Sequence, residues 1–206
     1  MLDFVQQAMK NVRQTGAVLP SSPALAKVMT RTLCAAKGPK RLLEVGPGTG
    51  PFTKAMLDAI RPGDEFHIVE MNPSFCSRLE ARLLGPYRRR HPLAEVHLHS
   101  CPIQEARLEG VFDFIVCGLP FNNFPPTLVR SIFRQLLSLL GPGGELVYFE
   151  YAGVRAMKAP LVGSRGRRDL RQIGTLAKAL RRRHLGKREL VLGNIPPAFA
   201  VRLRRD

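Results

Sequence analysis

The chain has 206 residues, of which 45% are hydrophobic and 23% charged, a composition that excludes a disordered or fibrous protein. Its formal net charge is +16, and residues 151–206 alone carry 15 basic and 3 acidic side chains. A cationic tail predicts an anionic partner, either nucleic acid or acidic lipid, and charge alone does not choose between them.

The compartment is predicted from what the sequence lacks. The first residues show no basic, apolar secretion signal, and no stretch approaches the ~18 apolar residues that span a bilayer. The four cysteines show no CxxC spacing, so a reducing compartment without structural zinc is expected. We therefore expect a cytoplasmic protein. The length of the chain, with no internal repeat and no low-complexity linker, predicts a single domain over residues 1–206.

Two helices are predicted before the first strand. Residues 2–13 form an amphipathic pattern, with apolar side chains at helical spacing at Leu2, Val5, Met9 and Val12. Gly16 ends this pattern, and Ser21-Ser22-Pro23 begins a second helix that extends to about Ala36.

From residue 40 onward, short apolar runs alternate with helical patterns, which is typical of a parallel sheet with helices on both faces. The predicted strands are Arg41–Val45, Phe66–Val69, Ala94–His99, Phe112–Val116 and Glu145–Phe149. The predicted helices are Phe52–Ile60, Pro73–Leu84 and Pro126–Leu140, with Gly85-Pro86 ending the second.

The tail departs from this alternation. A basic insert at about residues 155–188 contains a predicted helix, Arg168–His184, with one apolar stripe and basic side chains largely outside it. Strands Glu189–Leu192 and Phe199–Leu203 then form an antiparallel hairpin. The predicted class is α/β, with a Rossmann-like, mostly parallel sheet closed by antiparallel strands.

One motif predicts a ligand site. Glu44-Val-Gly46-Pro-Gly48-Thr-Gly50 lies between a strand and a helix, where glycines allow a tight turn and close approach of a ligand. Glu70 follows the next strand, 20 residues past Gly50, where a carboxylate accepts hydrogen bonds from a ribose diol. Both positions lie at the carboxyl ends of strands, where such sheets bind ligands.

The GxGxG spacing, with Glu44 ahead of it and Glu70 after the second strand, resembles motifs I and II of class I S-adenosylmethionine-dependent methyltransferases. The resemblance implies a seven-stranded sheet and S-adenosyl-L-methionine as cofactor. The expected cofactor-binding residues, including two cysteines expected to line the pocket, are Glu44, Gly46, Gly48, Thr49, Gly50, Glu70, Met71, Cys101, Pro102, Cys117, Gly118 and Leu119.

A narrower resemblance rests on three short segments, namely Gly16–Ser22, Gly118–Pro125 and Asn194–Ala198. Together they look like the bacterial phospholipid N-methyltransferases, which methylate phosphatidylethanolamine stepwise towards phosphatidylcholine. The resemblance implies docking on the anionic inner face of the membrane through the helix at residues 2–13. The chain departs from that family at Ser100-Cys101-Pro102, where the family has Gly-Asp-Ala, so backbone groups would replace a carboxylate beside the adenine.

The expected catalytic residues are Phe121, Asn122 and Tyr151. Phe121 and Tyr151 would hold a methylated ammonium by cation–π contact, Asn122 would offer an amide, and Tyr151 matches a tyrosine of the phospholipid enzymes. The five histidines show no metal-ligand spacing along the chain, so no metal site is expected.

Two other functions stay open. Gly118-Leu-Pro120-Phe121 resembles the Asn-Leu-Pro-Tyr motif of the ribosomal RNA adenine dimethyltransferases, which makes an RNA adenine N6-methyltransferase the main alternative. A membrane-associated cofactor-binding module without turnover is the other. Aromatic residues make up only 7% of the chain and tryptophan is absent, which favours lipid over RNA because base-reading proteins usually expose aromatic side chains.

Overall fold

The computed structural model describes residues 20–35, 38–153 and 163–205. Its centre is a seven-stranded sheet with the order β3-β2-β1-β4-β5-β7-β6. The helix predicted over residues 2–13 and part of the basic insert, residues 154–162, lie outside the described residues.

The strands are β1 (Arg41–Val45), β2 (Glu65–Val69), β3 (Glu95–His99), β4 (Phe112–Cys117), β5 (Leu140–Tyr151), β6 (Lys187–Val191) and β7 (Ala198–Arg204). The α-helices are α1 (Pro23–Ala35), α2 (Pro51–Leu57), α3 (Pro73–Leu79), α4 (Gly85–Arg90), α5 (Pro126–Leu139) and α6 (Ser164–Arg183). A π-helical turn, Glu80–Leu84, joins α3 to α4, and a 3₁₀ turn, Phe121–Asn123, precedes α5.

The first five strands pair in parallel, and β7 pairs antiparallel with both β5 and β6. Strand β1 is central, and four of its five residues are buried because helices cover both faces of the sheet. One core joins α5 and α6 to the sheet, and the other joins α1, α2 and α3 to the opposite face. This arrangement confirms the predicted fold class, and it brings the carboxyl ends of β1, β2, β4 and β5 to one edge.

The expected break at Gly85-Pro86 is wrong, because the helical path continues from α3 through α4. The amide of Gly85 donates to the carbonyl of Glu80, a five-residue spacing that widens the turn. Proline lacks an amide hydrogen and normally interrupts a helix, and the wider turn lets Pro86 occupy the first turn of α4 instead.

Strand β5 is longer than predicted at both ends. Leu140 pairs with Phe112, and the register shifts between Phe112 and Phe114. The glycine-rich residues before Glu145 therefore belong to the start of β5. At its other end β5 reaches Tyr151, which pairs with Ala198. None of the helices among the described residues is long and apolar enough to cross a membrane.

Candidate active site

The glycine loop after β1 is held by backbone contacts to both neighbouring strands. The Gly46 amide donates to the Val69 carbonyl at 2.9 Å, and the Gly118 amide donates to the Val45 carbonyl at 2.8 Å. A side chain at Gly46 would come within 2.4 Å of Leu119, and one at Gly118 within 2.5 Å of the Gly46 carbonyl oxygen. Glycine at both positions therefore lets the loops after β1 and β4 touch.

Gly48 differs from these two glycines. Its φ of +60° is unfavourable for other residues, and a β-carbon there would meet no protein atom within 4 Å. The backbone at Gly48 therefore borders open space at the carboxyl edge of the sheet, as expected of a loop that cradles a ligand.

The Glu70 carboxylate, at the end of β2, secures the same loop. It is 2% exposed, and it accepts hydrogen bonds from the Gly48 amide at 3.1 Å and from the Asn72 amide at 2.8 Å. A carboxylate oxygen can accept more than one hydrogen bond, which suits this side chain to a ribose diol.

Glu44 is fully buried beneath the loop. Among the described residues, neither of its carboxylate oxygens has a hydrogen-bond partner, and neither does the nearby Thr53 hydroxyl. Burial is the main cause that raises the pKa of Glu44 to about 8, and the nearby Glu70 adds to this shift. The side chain is therefore largely protonated at neutral pH in this form of the protein.

A cavity opens at the ends of β1, β2 and β4, beside the glycine loop. Of the predicted cofactor residues, its lining includes Gly46, Glu70, Met71, Cys101, Pro102 and Leu119. The lining residues missed from the sequence are Val45, Val69, Ile103, Gln104, Phe124, Leu128 and Ile132. Gln104 brings an amide to the segment that lacks the expected carboxylate, and the apolar residues suit a flat aromatic ring.

The other predicted cofactor residues lie around this cavity rather than on its wall. Thr49 is exposed at the loop tip, and Gly50 begins α2 with φ +89°. The Cys117 side chain is fully buried in the core shared with α5, and burial raises its pKa to about 12. The expectation that Cys117 lines the pocket does not match this placement, since its side chain points into the core at the last residue of β4.

A second, smaller cavity adjoins the first across Leu119 and Pro120, and Phe121, Asn122 and Tyr151 all line it. The Phe121 ring packs on Phe133 at 4.6 Å between centroids, and the Tyr151 ring meets Phe149 edge-on at 5.1 Å. The internal volume is about 10 Å³, room for about one water molecule. An organic cation therefore enters only if lining side chains move.

The second cavity also has a carboxylate, Glu150, in addition to the three expected catalytic residues. Glu150 accepts a hydrogen bond from the Tyr148 hydroxyl at 3.2 Å and forms an ion pair with Arg181 of α6, also at 3.2 Å. Burial raises the pKa of Tyr148, so its hydroxyl stays protonated and remains a donor. The aromatic faces of this cavity favour a cationic guest, whereas the Glu150 carboxylate is already paired with Arg181.

Residues 21–187 match the family described as a methyltransferase domain, and the chain belongs to that family. The ornithine lipid N-methyltransferase of Singulisphaera acidiphila is 29% identical over 143 residues, which span 68% of this chain and 72% of that protein. The ribosomal RNA small subunit methyltransferase A of Rhodococcus opacus is 31% identical over 102 residues, 48% of this chain and 32% of that protein.

Among solved structures, the O-methyltransferase TomG of Streptomyces achromogenes, in complex with SAM, superposes with a TM-score of 0.65 at 17% identity. The match covers 98% of this chain and 89% of TomG, and it shows a shared fold. With the family match, this makes the chain a class I S-adenosylmethionine-dependent methyltransferase.

The residues present fit S-adenosylmethionine. The open space at Gly48 admits a ligand against the backbone, and Glu70 can accept a ribose diol. Gln104 and the apolar lining are groups that contact an adenine, and the cavity, about 30 Å³ in this structure, must widen to admit one. The Glu44 carboxyl beneath the loop is a buried polar group without a partner among the described residues, and a ligand bound at the loop could partner it. When bound, the cofactor supplies an activated methyl group, and positioning and exclusion of water provide much of the rate.

Proposed function

We propose that this methyltransferase acts on the amine head group of phosphatidylethanolamine and its methylated forms at a membrane surface. The observation that carries the proposal is the second cavity, which lies beside the cofactor cavity and combines Phe121, Tyr151 and the Glu150 carboxylate. The resemblance of the chain to an ornithine lipid N-methyltransferase supports a lipid amine as the acceptor.

The second cavity supplies what an amine acceptor needs. Phe121 and Tyr151 offer aromatic faces to an ammonium, typically worth about 0.5–2 kcal/mol. Glu150 lies at the end of β5 with Tyr148 and Arg181 as its partners, which fixes its orientation. The amine must lose a proton to become nucleophilic. We assign Glu150, or water at the cavity mouth, as the group that accepts this proton.

The surface around the site supports a membrane partner. Exposed basic side chains of α6 are Arg165, Arg167, Arg168, Arg171, Lys178, Arg182 and Arg183. A groove of about 350 Å³ between α5 and α6 is lined by Arg130, Arg168 and Arg171 beside the apolar Leu176 and Ala179. Basic side chains near an anionic leaflet contribute roughly 1 kcal/mol each.

Apolar side chains are also exposed near the carboxyl end of β5. Leu192 and Ile195, in the turn between β6 and β7, are each 73% exposed. This turn adjoins the end of β5, where the Ala152 amide donates to the Pro197 carbonyl at 2.7 Å. Exposed apolar residues beside cationic ones are typical of surfaces that enter the lipid interface.

Gly118 argues against RNA as the acceptor. In the RNA adenine dimethyltransferase motif that this segment resembles, that position carries an amide side chain, whereas here a β-carbon would lie 2.5 Å from the Gly46 carbonyl oxygen. Asn122 lines the second cavity and offers an amide from another position. The partial match to an RNA methyltransferase keeps RNA as an acceptor to be tested.

The test offers two acceptors in one vessel. Full-length protein receives labelled S-adenosylmethionine, anionic vesicles containing phosphatidylethanolamine, and purified ribosomal RNA, and the label is measured in the lipid and RNA fractions. We expect label in the lipid fraction, with vesicles of phosphatidylglycerol alone as the control that lacks an amine. Label confined to RNA would overturn the proposal, as would cofactor binding without label in either fraction.

A further inference from the structure

Strands β2 and β3 bring together side chains that are separate in the sequence. The parallel register pairs His67 with His97 and Val69 with His99. Because side chains alternate along a strand, Glu65 and His67 of β2 share one face of the sheet with His97 and His99 of β3. The spacing along the chain predicts no metal site, but this pairing juxtaposes an E-x-H pair and an H-x-H pair across two strands.

The distances within this histidine cluster (Glu65, His67, His97 and His99) are short. His67 Nε2 lies 2.5 Å from Glu65 Oε1, and His67 Nδ1 lies 2.8 Å from His99 Nε2. The rings of His67 and His97 have centroids 4.9 Å apart. One potential ligand atom from each of Glu65, His67 and His97 lies within 4.8 Å of the other two.

We propose that Glu65, His67 and His97 bind a divalent first-row transition metal, with Zn²⁺ as the type ion. Imidazole nitrogens and a carboxylate oxygen are ligands that Zn²⁺ accepts at about 2.0–2.2 Å in tetrahedral geometry. Such bonds place neighbouring ligand atoms about 3.3 Å apart. The observed separations lie on either side of that value, so small side-chain rotations complete the site, with water as the fourth ligand.

The charges around the histidine cluster suit a cation, because Glu65 supplies a carboxylate that already accepts hydrogen bonds from Arg41 and lies beside His67. Arg41, whose Nε lies 2.5 Å from Glu65 Oε2, competes with an ion for this carboxylate, and the exposed Glu95 is paired in register with Glu65.

The placement of the histidine cluster suggests a structural role. His67 is 9% exposed and His97 is exposed, so an ion can enter from solvent and then reach the buried ring. Strand β3 is at the edge of the sheet and pairs only with β2 within the described chain. A metal bridging the two strands would fasten this edge strand, whose end leads into the Cys101–Gln104 segment of the cofactor cavity.

The test measures metal binding and does not use activity. Metal-stripped full-length protein is titrated with Zn²⁺ by calorimetry and with Co²⁺ by visible absorption, for wild type, His97→Asn and His91→Asn. His91 is an exposed histidine outside the histidine cluster and serves as the matched control. We expect one ion per chain, affinity at least about 10–100-fold weaker in His97→Asn, and no change in His91→Asn.

Thermal unfolding supplies the second measurement. At a Zn²⁺ concentration well above the wild-type Kd, the unfolding midpoint of wild type and His91→Asn should rise, and that of His97→Asn should rise markedly less. Wild-type affinity in His97→Asn would overturn the site. So would the absence of saturable binding in wild type, or a thiolate-to-cobalt absorption band, which would indicate cysteine ligands such as the partly exposed Cys101.

Discussion

Replacing Glu44 with glutamine should stabilise the protein in a pH-dependent way. In the unfolded chain this carboxyl ionises near pH 4.5, whereas in the folded protein its pKa is about 8. Between these values the unfolded state releases a proton that the folded state keeps, so wild-type stability falls as the pH rises through this window. The cost is about 3 kcal/mol at pH 7 and about 5 kcal/mol at pH 9.

Glutamine has nearly the same shape as protonated glutamate and does not ionise, so Glu44→Gln removes this cost. At pH 5 the variant should be only about 1 kcal/mol more stable than wild type, because pH 5 lies only half a unit above the unfolded-state pKa of 4.5. At pH 7 the variant should melt about 6–12 °C higher, since about 2–4 °C accompany each kcal/mol in a chain of this size. The amide is as poorly partnered as the acid it replaces, so hydrogen bonding adds little to the difference.

The assay is thermal unfolding by circular dichroism from pH 5 to pH 9, without cofactor. Glu105→Gln is the matched control, because that side chain is exposed and its curve should run parallel to wild type. If the melting temperatures of Glu44→Gln and wild type differed by a constant amount over this range, Glu44 would be ionised in the folded protein and our account of its burial would be incorrect.

Four further predictions concern the cavities and the basic surface. Gly48→Ala should abolish cofactor binding and cost about 1–2 kcal/mol of stability. Gly143 has a similar φ of +70° and equally open space, so Gly143→Ala should cost as much stability without affecting cofactor binding. Equal cofactor affinities in the two variants would show that Gly48 does not contact the cofactor. Glu70→Ala should weaken S-adenosylhomocysteine binding about 10–100-fold by calorimetry, and wild-type affinity would remove Glu70 from the site. Tyr151→Leu should lower kcat/KM for an amine acceptor about 2–30-fold while Tyr151→Phe retains it, and equal losses in both would exclude a cation–π role. The double variant Arg168→Gln/Arg171→Gln should bind anionic vesicles about 10–30-fold more weakly in a sedimentation assay. Arg61→Gln, which changes an exposed residue ahead of β2, should bind like wild type. Equal binding by wild type, the double variant and Arg61→Gln would exclude α6 from the membrane-binding surface.

The parts of the fold that depend on local sequence were predictable. Buried apolar runs ending at glycines locate β1 and its loop, because a central parallel strand is apolar on both faces. The strand-end positions of Glu44 and Glu70 followed from the same reasoning. The continuous path through Pro86 was not predictable, since it depends on a π-helical turn for which the sequence has no distinct signature.

The missed residues depend on tertiary packing. Leu128 and Ile132 reach the cofactor cavity from α5, and their helical spacing indicates only that they face the sheet. Cys117 is the last residue of β4, and its side chain packs in the core rather than on the cavity wall. The histidine cluster arises from the β2–β3 register, which becomes visible only once the neighbouring strands are known.

The most direct test of the central claim is the lipid composition of a bacterial host that makes phosphatidylethanolamine but does not methylate it. We expect mono-, di- or trimethylated head groups in lipid extracts after expression of the wild-type chain, and none after expression of Gly48→Ala at a matched protein level. Unmethylated phosphatidylethanolamine in both extracts, with wild-type protein that is folded and binds S-adenosylmethionine, would contradict the claim that this chain is a phospholipid N-methyltransferase.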